Sequence, residues 1–330
     1  MSYPANKPRY AARLNAFKPL AEGRGIAGMI AAAALVEGMD AADLNYPDHF
    51  EGRPAREIGD MLRDNGLGLN GLAMRYYSDP AFAIGAFTNP DPATRRKAID
   101  LTKQGLDALA EMGGGVMTLW MGQDGFDYAF QADYARLWGD TLDALAEVSA
   151  HNRDLQIAIE YKPNEPRAFA LMPDMATTLL AIRDVGAENL GVTVDFAHVL
   201  YANEMPAHVA YLAQRHAKIL GVHLNDGYGK RDDGLMAGTV HPVATVELFV
   251  QLHRMGYDGV IYFDTFPDHS GLNPIEEGRT NILIIERLRA IAAELAESSE
   301  LSDLLQKQNA ALTQRLIAER LYGGVIPDGR

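Results

Sequence analysis

Eight short apolar runs, each closed by polar residues and followed by a longer stretch with helical spacing, limit what this chain can fold into. Six are clear: LGLNGLAM at 67–74, GGVMTLWMG at 114–122, LQIAIEYKP at 155–163, LGVTVDFAH at 190–198, ILGVHLND at 219–226 and GVIYFDTFP at 259–267. Two weaker runs precede them, AARLNAF at 11–17 and AADLNYPDH at 41–49. Between the runs, residues 92–112, 134–152, 175–186, 207–217 and 243–256 carry the spacing of helices with one apolar face. Strict alternation of strands and helices implies a parallel sheet with right-handed crossovers. Eight such units in about 250 to 300 residues match a closed (β/α)8 barrel in length. The rival is an open doubly wound sheet. It brings a glycine-rich phosphate turn after its first strand, and no GxGxxG stands there. The expected fold is therefore α/β, a (β/α)8 TIM barrel.

The end of the chain departs from the alternation. Residues 275–297 read as a long last barrel helix, and 302–324 as one further helix closed by two glycines. The expected division is a barrel over 1–297 and a helical tail over 298–330. The tail's leucine and isoleucine stripe has no strand of its own to cover. It either packs back on the barrel or docks on a neighbouring subunit. The expectation is a homo-oligomer, a dimer or tetramer, or a hetero-oligomer with a small partner subunit.

Composition removes several classes of function. The net charge of −14 over 330 residues repels phosphate backbones and anionic membrane surfaces. Neither nucleic acid nor a membrane is an expected partner. The absence of cysteine removes disulfides, thiolate nucleophiles and zinc–sulfur sites. It fits a reducing compartment, and the expected location is the cytoplasm. The first residues lack the apolar core of a signal peptide, and the apolar run IAGMIAAAALV at 26–36 is too short to span a bilayer.

In such a barrel the active site lies at the C-terminal ends of the strands. In this chain those ends carry Asp48 and His49, then Trp120, then Glu160 and Lys162. Asp195 and His198 follow, then His223, Asn225 and Asp226, with Asp232 and Asp233 just beyond, and finally Asp264. Singly, each has an ordinary explanation. An acid at a strand end caps a helix or faces water, and a lone histidine is most often a neutral hydrogen-bonded side chain. Together they form a pattern, because strands five to eight each deliver an acid or a histidine to one rim. Alternation along a strand points Glu160 and Lys162 to the same side. Carboxylates gathered near a barrel axis repel one another unless a cation neutralises them. With His223 they make an oxygen-rich set with one nitrogen, which suits Mg2+, Mn2+ or Co2+. Lys162 beside such an ion is placed to stabilise a developing oxyanion. His198, with Asp232 and Asp233, offers ligands for a second cation.

The segment IEYKPNEPR at 159–167 resembles the strand-five signature of the xylose isomerase family, with Tyr161 where a proline is usual. The resemblance extends along the barrel. It covers WMGQDGFDY (120–128), GVTVDFAH (191–198), GVHLNDGYGKRDDGLMAG (221–238), and YFDTFP (262–267) with RTNILIIERLRA (279–290). It implies that Glu160, Asp195, His223 and Asp264 hold one divalent metal, and that His198, Asp232 and Asp233 hold a second. It implies catalytic roles for Lys162, His198 and Glu160, with Lys162 polarising a substrate carbonyl. It further implies that Trp120, with Phe17, forms the apolar wall of a sugar pocket, and His49 and Asn225 complete the expected substrate contacts.

The chain departs from true xylose isomerases, which have acids where Asp195 and His223 stand. Its set is nearer to rhamnose isomerases and ketose epimerases. The family's strand-two histidine–aspartate dyad is not clearly matched, the order here being Asp48–His49, and RDDGL lacks the family's spaced acid pair. The resemblance implies a metal-dependent sugar isomerase that interconverts an aldose and a ketose. Two alternatives stand beside it. One is a ketose 3-epimerase, whose paired long glutamates the shorter Asp264 does not reproduce. The other is the metal-dependent subunit of a C-glycoside deglycosidase acting on 3-keto glycosides.

Overall fold

The computed structural model describes residues 10–323. Eight strands form the barrel: β1 (Tyr10–Arg13), β2 (Ala41–Tyr46), β3 (Gly68–Met74), β4 (Val116–Leu119), β5 (Gln156–Glu160), β6 (Leu190–Asp195), β7 (Ile219–Leu224) and β8 (Ile261–Phe263). Each pairs in parallel with the next, and β8 closes on β1 through Tyr10 opposite Ile261. All eight apolar runs of the sequence are barrel strands. The eight long helices are α1 (Gly25–Ala33), α2 (Ala55–Asp64), α3 (Pro92–Glu111), α4 (Tyr134–His151), α5 (Met175–Val185), α6 (Pro206–His216), α7 (Pro242–Met255) and α8 (Pro274–Ala296). Their limits follow local chemistry. Asp91 caps α3 by accepting from the N–H groups of Ala93 and Thr94, with Pro92 at the first helical position. Gly186 ends α5 in the left-handed conformation, with φ of 68°.

Register decides what faces the axis. Asp195 lies opposite His223, and His223 opposite Tyr262. Residues two apart share a face. Glu160, opposite Thr193, therefore sits one layer below Asp195, and Asp264 one layer above Tyr262. At the register level of His223, Ala11, Ala41 and Tyr262 form a small apolar cluster separate from the main one. The large core lies outside the barrel, between strands and helices. A polar site can thus form at one end of the barrel while most apolar burial happens elsewhere.

The tail differs from the single helix read in the sequence. It forms two, α9 (Ser299–Gln306) and α10 (Ala310–Tyr322). The break follows from Gln308, at a φ of 49°, and from Asn309, whose side chain accepts from Leu312 N–H and caps the second helix. Leu301, Leu304 and Leu316 are buried in the main core, so much of the stripe packs on the chain's own barrel. Gly324 and the residues after it lie outside the described residues, as do residues 1–9. Among the described residues no helix is long and apolar enough to cross a membrane.

Candidate metal centre

Glu160, Asp195, His223 and Asp264 each present one ligand atom, and these atoms all lie within 4.8 Å of one another. Oxygen and nitrogen ligands about 2.0–2.6 Å from one ion span at most about 5 Å, so the cluster fits a single divalent cation. The chemistry of the set agrees. Three carboxylates and one imidazole, without thiolate, suit hard to borderline divalent ions. His223 Nδ1 is buried with no hydrogen-bond partner, as is His198 Nδ1, and both face carboxylates. His223 Nδ1 lies 3.4 Å from Glu160 and 4.0 Å from Asp195. His198 Nδ1 lies 3.5 Å from Glu160 and 3.8 Å from Asp195.

The fields in the cluster are strong because it is largely buried. Burial pushes the His223 imidazole down, but Glu160, Asp264 and Asp195 overcome this and hold it up at about 9. Burial pushes the Asp195 carboxyl up to about 7, reinforced by Glu160, Asp232 and Asp264 and opposed by His198. Asp264 is raised by burial and by Glu160. Burial would raise Glu160 too, but His223 and His198 hold it down. Carboxylates whose affinities for protons are spread in this way are competing for too little positive charge, which a divalent ion supplies.

Other residues fix the ligands in place. Asp195 caps the short helix Phe196–Tyr201, its Oδ1 accepting from His198 N–H at 2.9 Å. Asn225 accepts from Ala197 N–H at 2.8 Å and donates to Asp195 Oδ2 at 3.3 Å. The sequence offered Asn225 as a substrate contact; in the structure its amide bridges Ala197 and Asp195. Asp226 shapes the loop after β7 by accepting from Val240 and His241 N–H at 2.8 and 2.9 Å.

That loop separates its two adjacent acids. Asp232 turns inward, with Oδ2 3.1 Å from His198 Nε2 and 3.5 Å from Lys162 Nζ, while its Oδ1 is buried without a partner. Asp233 locks the loop, accepting from Tyr228 N–H at 2.9 Å and Arg231 Nε–H at 2.8 Å. The structure brings His198 and Asp232 together and leaves Asp233 out of that group. Adjacency in sequence could not tell them apart.

Lys162 and Trp120 meet because two loops are zipped together. Gly125 and Phe126, after β4, pair antiparallel with Ala170 and Phe169, after β5. A Cβ at Gly125 would stand 2.1 Å from the Phe169 carbonyl, so only glycine allows this approach. At Gly122 a Cβ would stand 2.4 Å from the Trp120 indole, so a side chain there would displace the ring. The Lys162 ammonium lies 4.6 Å above the Trp120 ring, and Lys162 is 8% exposed. Trp120, Gly122, Lys162 and Ala170 line a pocket that also includes Glu160.

Three further residues stand where the sequence reading did not look. Arg13, at the end of β1, lies 3.4 Å from Asp264 and 2.9 Å from Asp268. Asp43, on β2, is buried and accepts from Asn70 at 2.7 Å; burial pushes its carboxyl up to about 6. Tyr77 packs edge-on against Trp120 at 5.6 Å. Phe17 lies in the apolar core, on the turn of helix Leu14–Leu20, and Tyr77 is the ring set against Trp120. His49 is buried with both nitrogens engaged, Nδ1 by Asn45 N–H at 3.0 Å and Nε2 by Asn15 at 2.6 Å. Burial and the charges of Arg75, Arg13 and Lys18 hold its imidazole down at about 3, so it is neutral. A signal for Arg13 and Asp43 did exist: each is a charged residue inside or ending a run that otherwise alternates toward a small-residue interior.

A family model described as a xylose isomerase-like TIM barrel matches residues 30–294. The xylose isomerase of Thermus thermophilus is 29% identical over 262 residues, covering 76% of this chain and 67% of the relative. The xylose isomerase of Thermus caldophilus is 27% identical over 269 residues, covering 78% of this chain and 70% of the relative. Among solved structures, a D-tagatose 3-epimerase-like protein superposes with a TM-score of 0.67 at 17% identity, over 87% of this chain and 98% of that one. A D-allulose 3-epimerase from Methylomonas sp. in complex with D-allulose gives 0.67 at 18% identity, over 87% and 99%. At these identities the two solved structures share the fold.

Proposed function

The chain belongs to the xylose isomerase-like TIM barrel family, and on that premise we propose that it is a divalent-metal-dependent isomerase interconverting an aldose and a ketose. The observation that carries the reading is the pairing of two features. Four ligand atoms lie within 4.8 Å of one another, and the Lys162 ammonium lies 4.6 Å over the Trp120 ring beside the ligand Glu160. A divalent ion held by Glu160, Asp195, His223 and Asp264 would supply Lewis-acid polarisation of adjacent substrate oxygens. Its identity among Mn2+, Mg2+ and Co2+ is open to the same ligand set.

The chain's own groups do the rest. Lys162 donates to the carbonyl oxygen and stabilises negative charge as it develops there. Asp232, touching both Lys162 and His198, holds these two groups in one orientation. Trp120 and Tyr77 cover the apolar face of the sugar and exclude water. Hydrogen moves between C1 and C2 while a proton passes between the two oxygens, so the reaction balances within the substrate.

Asp264 bears on the epimerase alternative. Exchange of a proton from both faces of one carbon needs two free acid–base groups. Asp264 is short and engaged by Arg13 at 3.4 Å, which favours a ligand role over that of a base. The test is a screen of manganese-loaded protein against free aldoses, free ketoses and 3-keto glycosides, with products identified by NMR. Metal-dependent appearance of a ketose from an aldose supports the proposal. Inversion at C3 alone, or release of an aglycone alone, overturns it.

A further inference from the structure

Four side chains form a row along the rims of β3, β4 and β5. Arg75 directly follows β3, and its backbone N–H donates to the Tyr46 carbonyl at 2.9 Å, which fixes the point from which the side chain departs. Its guanidinium carbon lies 5.6 Å from the centre of the Tyr77 ring. Tyr77 meets Trp120 edge-on at 5.6 Å, and Trp120 carries the Lys162 ammonium at 4.6 Å. The row reads cation, ring, ring, cation.

The two cations differ in their partners. Lys162 lies 3.5 Å from Asp232 and 3.3 Å from Glu165. Arg75 has no carboxylate within 4.0 Å among the described residues, and its Nε is buried without a hydrogen-bond partner. A guanidinium cannot escape this by losing a proton. Holding it partly out of water and unpaired therefore costs free energy that a ligand can recover. Arg75 stands at one end of this row, and Lys162, beside Glu160 in the pocket, stands at the other.

Around the centre, Arg13 is taken up by Asp264 and Asp268, and Lys162 by Asp232 and Glu165, whereas Arg75 has no such partner among the described residues.

We propose that Arg75 pairs with a carboxylate of the substrate, so that the site takes a sugar monoacid of the uronate class in preference to a neutral sugar. This rests on the isomerase reading above and names its substrate class. The planar fork of a guanidinium matches the two oxygens of a carboxylate. One unpaired positive charge fits one negative charge. A phosphate dianion would ask for a second free cation, within a body of net charge −14. The two rings between the cations give the carbon face of the sugar a surface to stack on.

The experiment titrates manganese-loaded protein by calorimetry with matched pairs, D-glucuronate against D-glucose and D-galacturonate against D-galactose. D-glucose 6-phosphate forms a third arm. Wild type and Arg75→Met are compared, with manganese binding of the variant read separately as a check on its fold. At least one uronate is expected to bind about 10-fold or more tightly than its neutral counterpart, and Arg75→Met is expected to erase that ratio. If Arg75→Met fails to hold manganese, Arg75→Lys keeps the charge without the fork and is expected to reduce the ratio. Equal binding of both members of both pairs overturns the inference, as does a ratio that survives substitution or a preference for the phosphate. Each of these leaves the isomerase reading standing. Absence of binding by every sugar overturns the isomerase reading, and the inference with it.

Discussion

The two halves of the barrel rim are built on different plans. From β5 to β8, the groups that face the axis are carboxylates and imidazoles, and Glu160, Asp195 and His223 stand on the strands themselves. Their neighbours tie them down: Asp195 is 1% exposed, caps a helix and is held by Asn225, itself 1% exposed. From β1 to β4, beside the buried Asp43 and His49, the rim adds cations and rings, namely Arg13, Arg75, Tyr77 and Trp120. The last three lie just past a strand end, on segments shaped by turns and glycines. Strand positions are fixed by register, and residues on loops are free to change without disturbing the barrel. One half thus reads as the part that sets the chemistry and the other as the part that sets the substrate.

The largest expected effects fall on the first half. Glu160→Gln keeps the shape and removes one charge from the ligand set. Metal-dependent turnover is expected to fall well beyond the ~10–100-fold that the loss of a supporting group costs, with manganese affinity falling alongside it in calorimetry. Turnover within 10-fold of wild type would break the comparison at its root. Lys162→Met comes next. The ammonium is not a ligand, so kcat is expected to fall about 100- to 1000-fold while manganese binding changes little. Equal losses of both would move Lys162 into the ion site and blur the division.

The sequence showed the first half far better than the second, for physical reasons. A charged residue inside an apolar strand has nowhere to go but the axis or the surface. IAIE followed by YK therefore announced Glu160 and Lys162, and GVHL announced His223. Alternation of apolar runs with helical spacing carried the barrel in the same way. A basic residue just past a strand end carries no such signal, because solvated arginines are common there. Arg75 looked ordinary for that reason, as did Arg13, which lies inside one of the two weaker runs. Asn225 looked like a substrate contact. Only the structure shows that the free N–H of Ala197 and the second oxygen of Asp195 both claim its amide. Asp232 and Asp233 were inseparable without the turn that sends one inward. The tail's break at Asn309 was hidden by a leucine spacing that continues across it.

Asn225→Ala tests whether the first half depends on this inner bracing. Loss of the bond to Asp195 Oδ2 is expected to weaken manganese binding by about 10- to 100-fold. KM for the sugar, measured at saturating manganese, is expected to stay within about threefold, since a positioning residue acts through the ion. A raised KM with unchanged manganese affinity would return Asn225 to the substrate side and sharpen the boundary between the halves in the other direction.

The smallest effect belongs to the wall. In Gly122→Ala, the new methyl would stand 2.4 Å from the Trp120 indole, closer than any real carbon contact, so the ring must tilt or the loop must shift. Overpacking of this kind costs about 1–3 kcal/mol. Trp120 is not a ligand, and its strand is not among those that supply the ion site. The displaced ring is expected to raise KM for the sugar several-fold and to change the indole fluorescence. Manganese affinity is expected to be unchanged, because Glu160 is held by β5, by the pairing of β5 with β6 and by His223 on β7 rather than by the loop after β4. A fall in manganese affinity equal to the rise in KM would mean that the zipped loops after β4 and β5 carry strain into the ligand set. In that case the two halves would form one mechanical unit, and changes of substrate on this barrel would come at the cost of its chemistry.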